Sequence, residues 1–149
     1  MKRREFIALA GGAIVYPCMS TAQQPGGVRR VGVLVNFREG DPDGQFRLQA
    51  FRQRLQELGW TEGSNLQIEY RFSASNLERI RPDVAEIVGF APDVIVAANT
   101  QTVAALQRAT KTVPIVFVQV SEPVDRGFVA TLSRPGGNIT GFTNRVEPL

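Results

Sequence analysis

Five short apolar runs, each of the length of a β-strand, recur along the chain. The first begins at Arg29 and is continuously apolar from Val31 to Val35, which is typical of a strand buried on both faces. Polar residues and glycine interrupt the chain after it, and similar runs follow at intervals. The pattern predicts strands over Arg29–Asn36, Asn65–Phe72, Asp93–Ala98, Ile115–Val120 and Ile139–Thr143.

Segments with apolar residues at helical spacing lie between these runs. In Pro42–Leu58 they recur every three or four residues, and Gly59 follows in the position of a C-terminal cap. Ser75 and Glu78 are spaced as a capping box that opens a second helix, in which Pro82 predicts a kink or the effective start. A third helix is predicted over Thr100–Thr110 and a short fourth over Asp125–Leu132.

Strand and helix alternate from residue 29 to 143, which predicts an α/β domain: a doubly wound parallel sheet with helices on both faces. In such sheets ligands bind at the carboxyl ends of the strands, near the point where the strand order reverses. The loop residues there are mostly uncharged hydrogen-bonding groups, and Thr100 and Gln101 would stand at a helix N-terminus that favours a carboxylate. The candidate ligand-binding residues are Asn36, Asn99, Thr100, Gln101, Ser121 and Glu122.

This loop chemistry suits a small zwitterion or a polar organic acid better than a nucleotide. A purely structural interpretation stays open, in which Asn99 or Thr100 is an N-cap and Ser121 a turn residue. No glycine-rich phosphate loop follows the first strand, where the chain reads Asn-Phe-Arg-Glu-Gly. Acidic pairs such as Glu122 and Asp125 are interpreted as solvated loop charges.

The first residues have the pattern of an export signal. Arg3, Arg4 and Phe6 resemble a twin-arginine motif and precede an apolar stretch that is too short to span a bilayer. Small residues before Gln23 predict cleavage after Ala22, so that residues 1–22 are a signal peptide and 23–28 a lead-in. A frayed helix, a lipidated Cys18 or general secretory export are the alternatives. We expect a periplasmic protein.

Composition removes several classes of chemistry from the mature chain. The sequence has no histidine, and its single cysteine, Cys18, lies in the predicted signal peptide. Imidazole bases, thiol nucleophiles and thiolate metal sites are therefore excluded, and we expect no catalytic residue, no metal and no cofactor. Loss of residues 1–22 lowers the formal charge from +3 to +1, which argues against nucleic acid as a partner.

Several segments together resemble a known family. They include the helix end Phe51–Trp60, Ala91–Val96, Val113–Phe117 and Arg134–Gly141, and the chain is similar along nearly its whole length to ABC-transporter substrate-binding proteins of the tryptophan and tyrosine type. The resemblance implies a type I periplasmic binding fold, in which two lobes close on a solute that is then delivered to an ABC permease.

The same resemblance implies that this chain is the N-terminal lobe, that residues 144–149 begin the hinge crossover, and that an aromatic amino acid is the leading ligand. With one wall of the cleft, we expect the chain alone to bind weakly or not at all. A ligand-sensing lobe that regulates a partner protein and a truncated, non-functional fragment are the alternatives.

Overall fold

The computed structural model describes residues 27–143, and the predicted signal peptide with its cleavage site, most of the lead-in and the predicted hinge segment 144–149 lie outside them. Strands and helices alternate in the predicted order. They are β1 Arg29–Val35, α1 Pro42–Glu57, β2 Leu66–Phe72, α2 Leu77–Gly89, β3 Val94–Ala98, α3 Thr100–Ala109, β4 Ile115–Val118 and β5 Ile139–Phe142.

The five strands form one sheet in the order β2-β1-β3-β4-β5, and every pairing is parallel. The chain moves from β1 outward to β2, crosses back over β1 to β3, and then continues in the opposite direction. The strand order therefore reverses between β1 and β3, which is where a doubly wound sheet opens a crevice for ligands. The predicted fold class is confirmed.

Helices cover both faces of the sheet. On one face, α2 and α3 bury a core that contains Leu34, Ile87 and Phe117, all fully inaccessible to solvent. On the other face α1 packs Leu48 against the outward side of β1 and β2. Burial of these side chains, worth roughly 1.5–3 kcal/mol each, holds the strands in register and so fixes the loops at their ends.

The end of α1 shows how local sequence sets an element boundary. Gly59 takes a φ of 89°, and its N–H donates to the carbonyl of Gln56 while the N–H of Trp60 donates to that of Leu55. This is a Schellman motif, in which glycine supplies the left-handed residue. The predicted glycine cap is confirmed.

The prediction of a fourth helix over Asp125–Leu132 is wrong, because the segment is a series of turns. One helical turn of hydrogen bonds forms, in which Arg126 N–H donates to the Glu122 carbonyl, but Gly127 then takes a φ of 71° and the ladder stops. Phe128 and Val129 are buried from this turn, so the segment packs on the core without a helix.

The predicted opening of α2 also needs correction. Ser75 is not the cap, because its φ of 55° lies in the left-handed region, and Asn76 caps the helix by accepting from the N–H of Glu78. The helix does not begin at Pro82 but runs through it. No helix within residues 27–143 is long and apolar enough to cross a membrane.

Candidate functional site

The register of the sheet brings the residues that follow its strands into one row. Leu34 pairs with Ala97, so two residues further on Asn36 lies beside Asn99, and adjacent strands are about 4.8 Å apart. Ala98 pairs with Val118, which places Gln119 on the other side of Asn99. Across the sheet this carboxyl-edge row reads Ser73, Asn36, Asn99, Gln119 and Thr143.

The middle of the row coincides with the reversal of strand order, since Asn36 follows β1 and Asn99 follows β3. Every side chain in the row is an uncharged hydrogen-bonding group. Ser73 is fully buried and donates to the carbonyl of Val35 at 3.0 Å, so it closes the row on the β2 side. The remaining members are partly or fully exposed.

Asn99 is both a cap and a strained residue. Its Oδ1 accepts from the N–H of Thr102 at 2.9 Å, and its carbonyl accepts from the N–H of Val103. Its φ of 74° and ψ of 162° lie in a region that is populated almost only by glycine. The capping role left open by the sequence is therefore real, and the backbone at this position is held under strain.

The start of α3 presents free donors beside the row. The N–H groups of Thr102 and Val103 are taken by Asn99, whereas those of Thr100 and Gln101 have no acceptor within residues 27–143. Thr100 is half-buried and Gln101 is exposed. Two free N–H groups at the positive end of a helix dipole form an arrangement that binds a carboxylate.

Asn36 is held in place by the loop that follows β2. Ser75 Oγ donates to the Asn36 carbonyl at 3.2 Å, and both Ala74 and Ser75 adopt left-handed φ values. Sequence reasoning missed Ser75 as a site-supporting residue because it assigned Ser75 to the cap of α2. Asn36 itself is half-buried.

Ser121 and Glu122 lie two and three residues beyond the row, at the far side of β4. The carbonyl of Ser121 accepts from Arg126 Nε at 3.1 Å, and Glu122 forms an ion pair with Arg126 at 3.9 Å. Glu122 also borders a second depression of about 510 Å³ with Leu132 and Thr143. The structure thus brings together Asn36, Asn99, Thr100 and Gln101, and sets Ser121 and Glu122 at the rim.

Gln119 lies nearer to the centre of the row than Ser121 and Glu122 do. The prediction extended the fourth strand to Val120, whereas β4 ends at Val118 and Gln119 turns out of it with a φ of 57°. Thr143 was likewise predicted inside the fifth strand and follows its end. Each strand ends where its side chains stop packing on the core. The alternation of apolar and polar residues does not reveal that point.

The shifted ionisable groups lie away from this row. The N–H of Arg30 donates to Asp93 at the opposite edge of the sheet and lowers the pKa of that carboxyl, and burial raises the pKa of Tyr70 on the outer strand β2. Residues 27–143 contain no cluster of His, Cys, Asp and Glu side chains that could hold a metal ion. The row itself offers donors and acceptors, which is the chemistry of binding.

Comparison with known proteins decides the family. Residues 31–148 match the family model described as ABC transporter substrate binding protein. The chain belongs to the ABC transporter substrate-binding protein family. A tyrosine-binding protein from Clostridioides difficile (strain R20291) is 30% identical over 94 residues, which is 63% of this chain and 27% of that protein.

Solved structures of other proteins share the fold. A ligand-free, open substrate-binding protein with adhesive properties from Clostridium difficile superposes with a TM-score of 0.72 at 27% identity, over 80% of this chain and 40% of that one. A conserved domain protein from Vibrio cholerae gives a TM-score of 0.70 at 34% identity, over 78% and 38%. A Streptococcus pneumonia ABC domain in complex with L-Trp gives 0.70 at 23% identity, over 78% and 39%. The chain therefore spans about two fifths of the length of these solved relatives.

Proposed function

We propose that this chain forms one wall of the solute pocket in the exported substrate-binding component of an ABC importer. Family membership supports the transport role, and the solved relatives are more than twice as long as the matched region. A second lobe would then supply the opposite wall and exclude water when the two close. The observation that carries the proposal is the pair of free N–H groups at the start of α3, beside the carboxyl-edge row.

The proposed solute is an amino acid, with an aromatic side chain as the first choice. The N–H groups of Thr100 and Gln101 would hold its carboxylate, as the helix dipole favours. Asn36 and the rim residue Glu122 would offer oxygen acceptors to its ammonium group. The 30% identity to a tyrosine-binding protein supports this class of ligand.

The role is binding and delivery, with no bond made or broken. The row is made of neutral amide and hydroxyl side chains. The side-chain oxygen of its central residue, Asn99, already accepts a hydrogen bond as the cap of α3. An ABC permease in the inner membrane is the proposed partner, and neither a cofactor nor nucleic acid is part of the proposal. The family and the ligand chemistry both support a transport protein over an enzyme.

Amide chemical-shift mapping with L-tyrosine, L-tryptophan and L-phenylalanine on ¹⁵N-labelled chain tests the site, because it detects the weak binding expected of a single wall. We expect shifts at Thr100, Gln101 and Asn36 that saturate at about millimolar solute. Tyrosinamide, which lacks the carboxylate, is the matched control and should leave the Thr100 and Gln101 signals in place. Shifts scattered over the surface, or equal shifts with tyrosinamide, would contradict the assignment.

Export through residues 1–22 is proposed from the Arg3, Arg4 and Phe6 pattern. The full chain expressed with its leader should accumulate in the periplasm with Gln23 as its N-terminus, as read from the mass of the intact chain. Lysine in place of both arginines should retain the precursor in the cytoplasm if the twin-arginine route is used. Unchanged export of that variant would favour the general secretory route, and a mature protein that still begins at Met1 would reject the signal peptide.

A further inference from the structure

A groove of about 560 Å³ runs along the free edge of β2, at the side of the sheet remote from β5. Its floor is the outer strand itself, where the rings of Tyr70 and Phe72 stack with centroids 6.5 Å apart. Its walls come from three other parts of the chain. Arg38 belongs to the loop after β1, Arg52 to α1 and Arg79 to α2.

Two arginines of the groove are neutralised and held in place. Arg52 lies over the ring of Tyr70 at 4.7 Å, donates to its hydroxyl at 2.8 Å and forms an ion pair with Glu62 at 3.9 Å. Arg71 forms ion pairs with Glu69 and Glu86. These contacts fix the aromatic rings and the two paired arginines along the floor of the groove.

The other two arginines, Arg38 and Arg79, carry uncompensated charge. Both are exposed, and neither guanidinium has an acidic or hydrogen-bonding partner in the described part of the chain. Glu39, next to Arg38, also lines the groove, and its carboxylate offsets one of these two positive charges. Because Glu62, Glu69 and Glu86 already pair with Arg52 and Arg71, the charges that remain are those of Arg38, Arg79 and Glu39, which leave a net charge of +1 where β2 ends.

The strand beneath these charges has backbone groups available for pairing. Arg29 N–H donates to the Asn65 carbonyl and Ser73 N–H to that of Val35, so the odd-numbered residues of β2 bond to β1. A parallel ladder uses alternate residues, which turns the N–H and C=O groups of Ile68, Tyr70 and Phe72 toward the free edge. The Tyr70 carbonyl already accepts from Arg71 Nη1, at 2.7 Å, so the groups left for pairing are the N–H and C=O of Ile68 and Phe72 and the N–H of Tyr70.

We propose that this groove docks an extended, acidic segment of a partner protein, which adds to the edge of β2 as a further strand. Backbone pairing with β2 would supply affinity, and alternate carboxylates of the segment would meet Arg38 and Arg79. The surface is built from other residues than the proposed solute pocket and does not depend on solute binding. Charge complementarity selects an acidic partner over a basic or apolar one.

A fluorescein-labelled peptide of alternating valine and glutamate, titrated by fluorescence anisotropy into the full chain, tests the proposal. Replacing Arg38→Gln together with Arg79→Gln should weaken binding about tenfold, as expected for two exposed charge pairs. The matched control is Arg47→Gln with Arg108→Gln, which removes the same charge from exposed positions outside the groove and should change affinity less than about twofold. Circular dichroism checks that both variants fold.

Two further measurements separate strand addition from general attraction. Methylation of alternate backbone nitrogens in the peptide should abolish binding, because it blocks pairing with β2 while keeping every charge. Hydrogen exchange should slow at Ile68, Tyr70 and Phe72 when the unmodified peptide is bound. Equal loss of affinity in the control variant, full binding of the methylated peptide, or no binding at about 1 mM peptide would each overturn the proposal.

Discussion

The two ends of the sheet are finished in opposite ways. At the amino ends, the residue just before β2, β3 or β5 forms hydrogen bonds from its side chain to backbone groups. Asn65 bonds the N–H of Thr61 and the carbonyl of Gly59. Asp93 bonds the N–H of Arg30, and Asn138 bonds the carbonyl of Val113. At the carboxyl ends, non-glycine residues are instead held at positive φ after β2, β3 and β4. They are Ala74, Ser75, Asn99, Gln119 and Glu122, five of the six such residues within residues 27–143.

This difference separates stability from binding. Satisfied hydrogen bonds at the amino ends lower the free energy of the folded chain, whereas left-handed backbone at the carboxyl ends costs about 1–3 kcal/mol for each strongly strained residue. Strain of this kind persists only where the surrounding structure imposes it, and it concentrates where a site is built. Substitutions at the two ends should therefore have opposite signatures in stability and in solute binding.

The largest expected effect is at the amino ends. Asn65→Ala removes two hydrogen bonds, from the N–H of Thr61 at 2.7 Å and to the carbonyl of Gly59 at 2.9 Å. We expect the free energy of unfolding to fall by about 2 kcal/mol in urea titrations, with solute-induced chemical shifts unchanged. The neighbouring Ser64→Ala, at an exposed position, is the control and should stay within about 0.5 kcal/mol. A decrease in unfolding free energy no larger than that of the control would mean that the Asn65 side chain does not stabilise the turn between α1 and β2.

The next prediction compares the stability of two variants at the strained residue Asn99. Asn99→Ala loses the α3 cap and keeps the strain, so it should destabilise the fold by about 1–2 kcal/mol. Asn99→Gly also loses the cap, which costs only a few tenths with glycine, but it releases the strain and should stabilise the chain by about 1 kcal/mol.

Both variants should weaken the shifts that amino acids induce at Thr100 and Gln101, because the start of α3 is no longer fixed by Asn99. The measurements are urea denaturation and the same amide mapping. If glycine proves as destabilising as alanine, the backbone at this position is not strained and the contrast between the two ends fails.

The fold is easier to predict from the sequence than the candidate site. Continuous apolar runs such as Val31–Val35 specify doubly buried parallel strands, and the glycine after α1 marks its end, so the parallel sheet and the sequence of strands and helices follow from local pattern. The turn segment after β4 did not follow, because Gly127 breaks a helical pattern whose apolar residues, Phe128 and Val129, pack equally well without a helix.

The site is predictable only in part, for a geometric reason. Asn36 and Asn99 stand out because each is a polar residue at the carboxyl end of a predicted strand. Gln119 and Thr143 join them only through the register of β3, β4 and β5, which depends on contacts distant in sequence. Ser75 holds Asn36 by a hydrogen bond that depends on its left-handed backbone, and the pattern of side chains does not predict that conformation.

A smaller effect is expected at Gln119, which takes a φ of 57° without a helix cap. Gln119→Gly should raise stability by up to about 1 kcal/mol, because glycine adopts this conformation without steric cost. Since the side chain is exposed and in the row, solute-induced shifts at Asn36 and Thr100 should decrease although the fold is more stable. A variant that gains stability and binds as before would remove Gln119 from the site.

The smallest effect should appear at Asp93, and it should depend on pH. Its carboxylate accepts from Arg30 N–H at 2.8 Å and pairs with Arg29 at 3.3 Å, which lowers its pKa below the ordinary 3.8. A lowered folded-state pKa stabilises the fold fully above the ordinary value and progressively less as the pH falls through the folded-state value.

Because the group is well exposed, Asp93→Asn should cost less than about 1 kcal/mol at pH 7. The difference from the unsubstituted chain should shrink as urea titrations are repeated below about pH 4, where the carboxyl becomes protonated. A difference that stays constant down to pH 2.5 would show that the charge of the Asp93 carboxylate contributes nothing to stability, and that its contribution comes from hydrogen bonding alone.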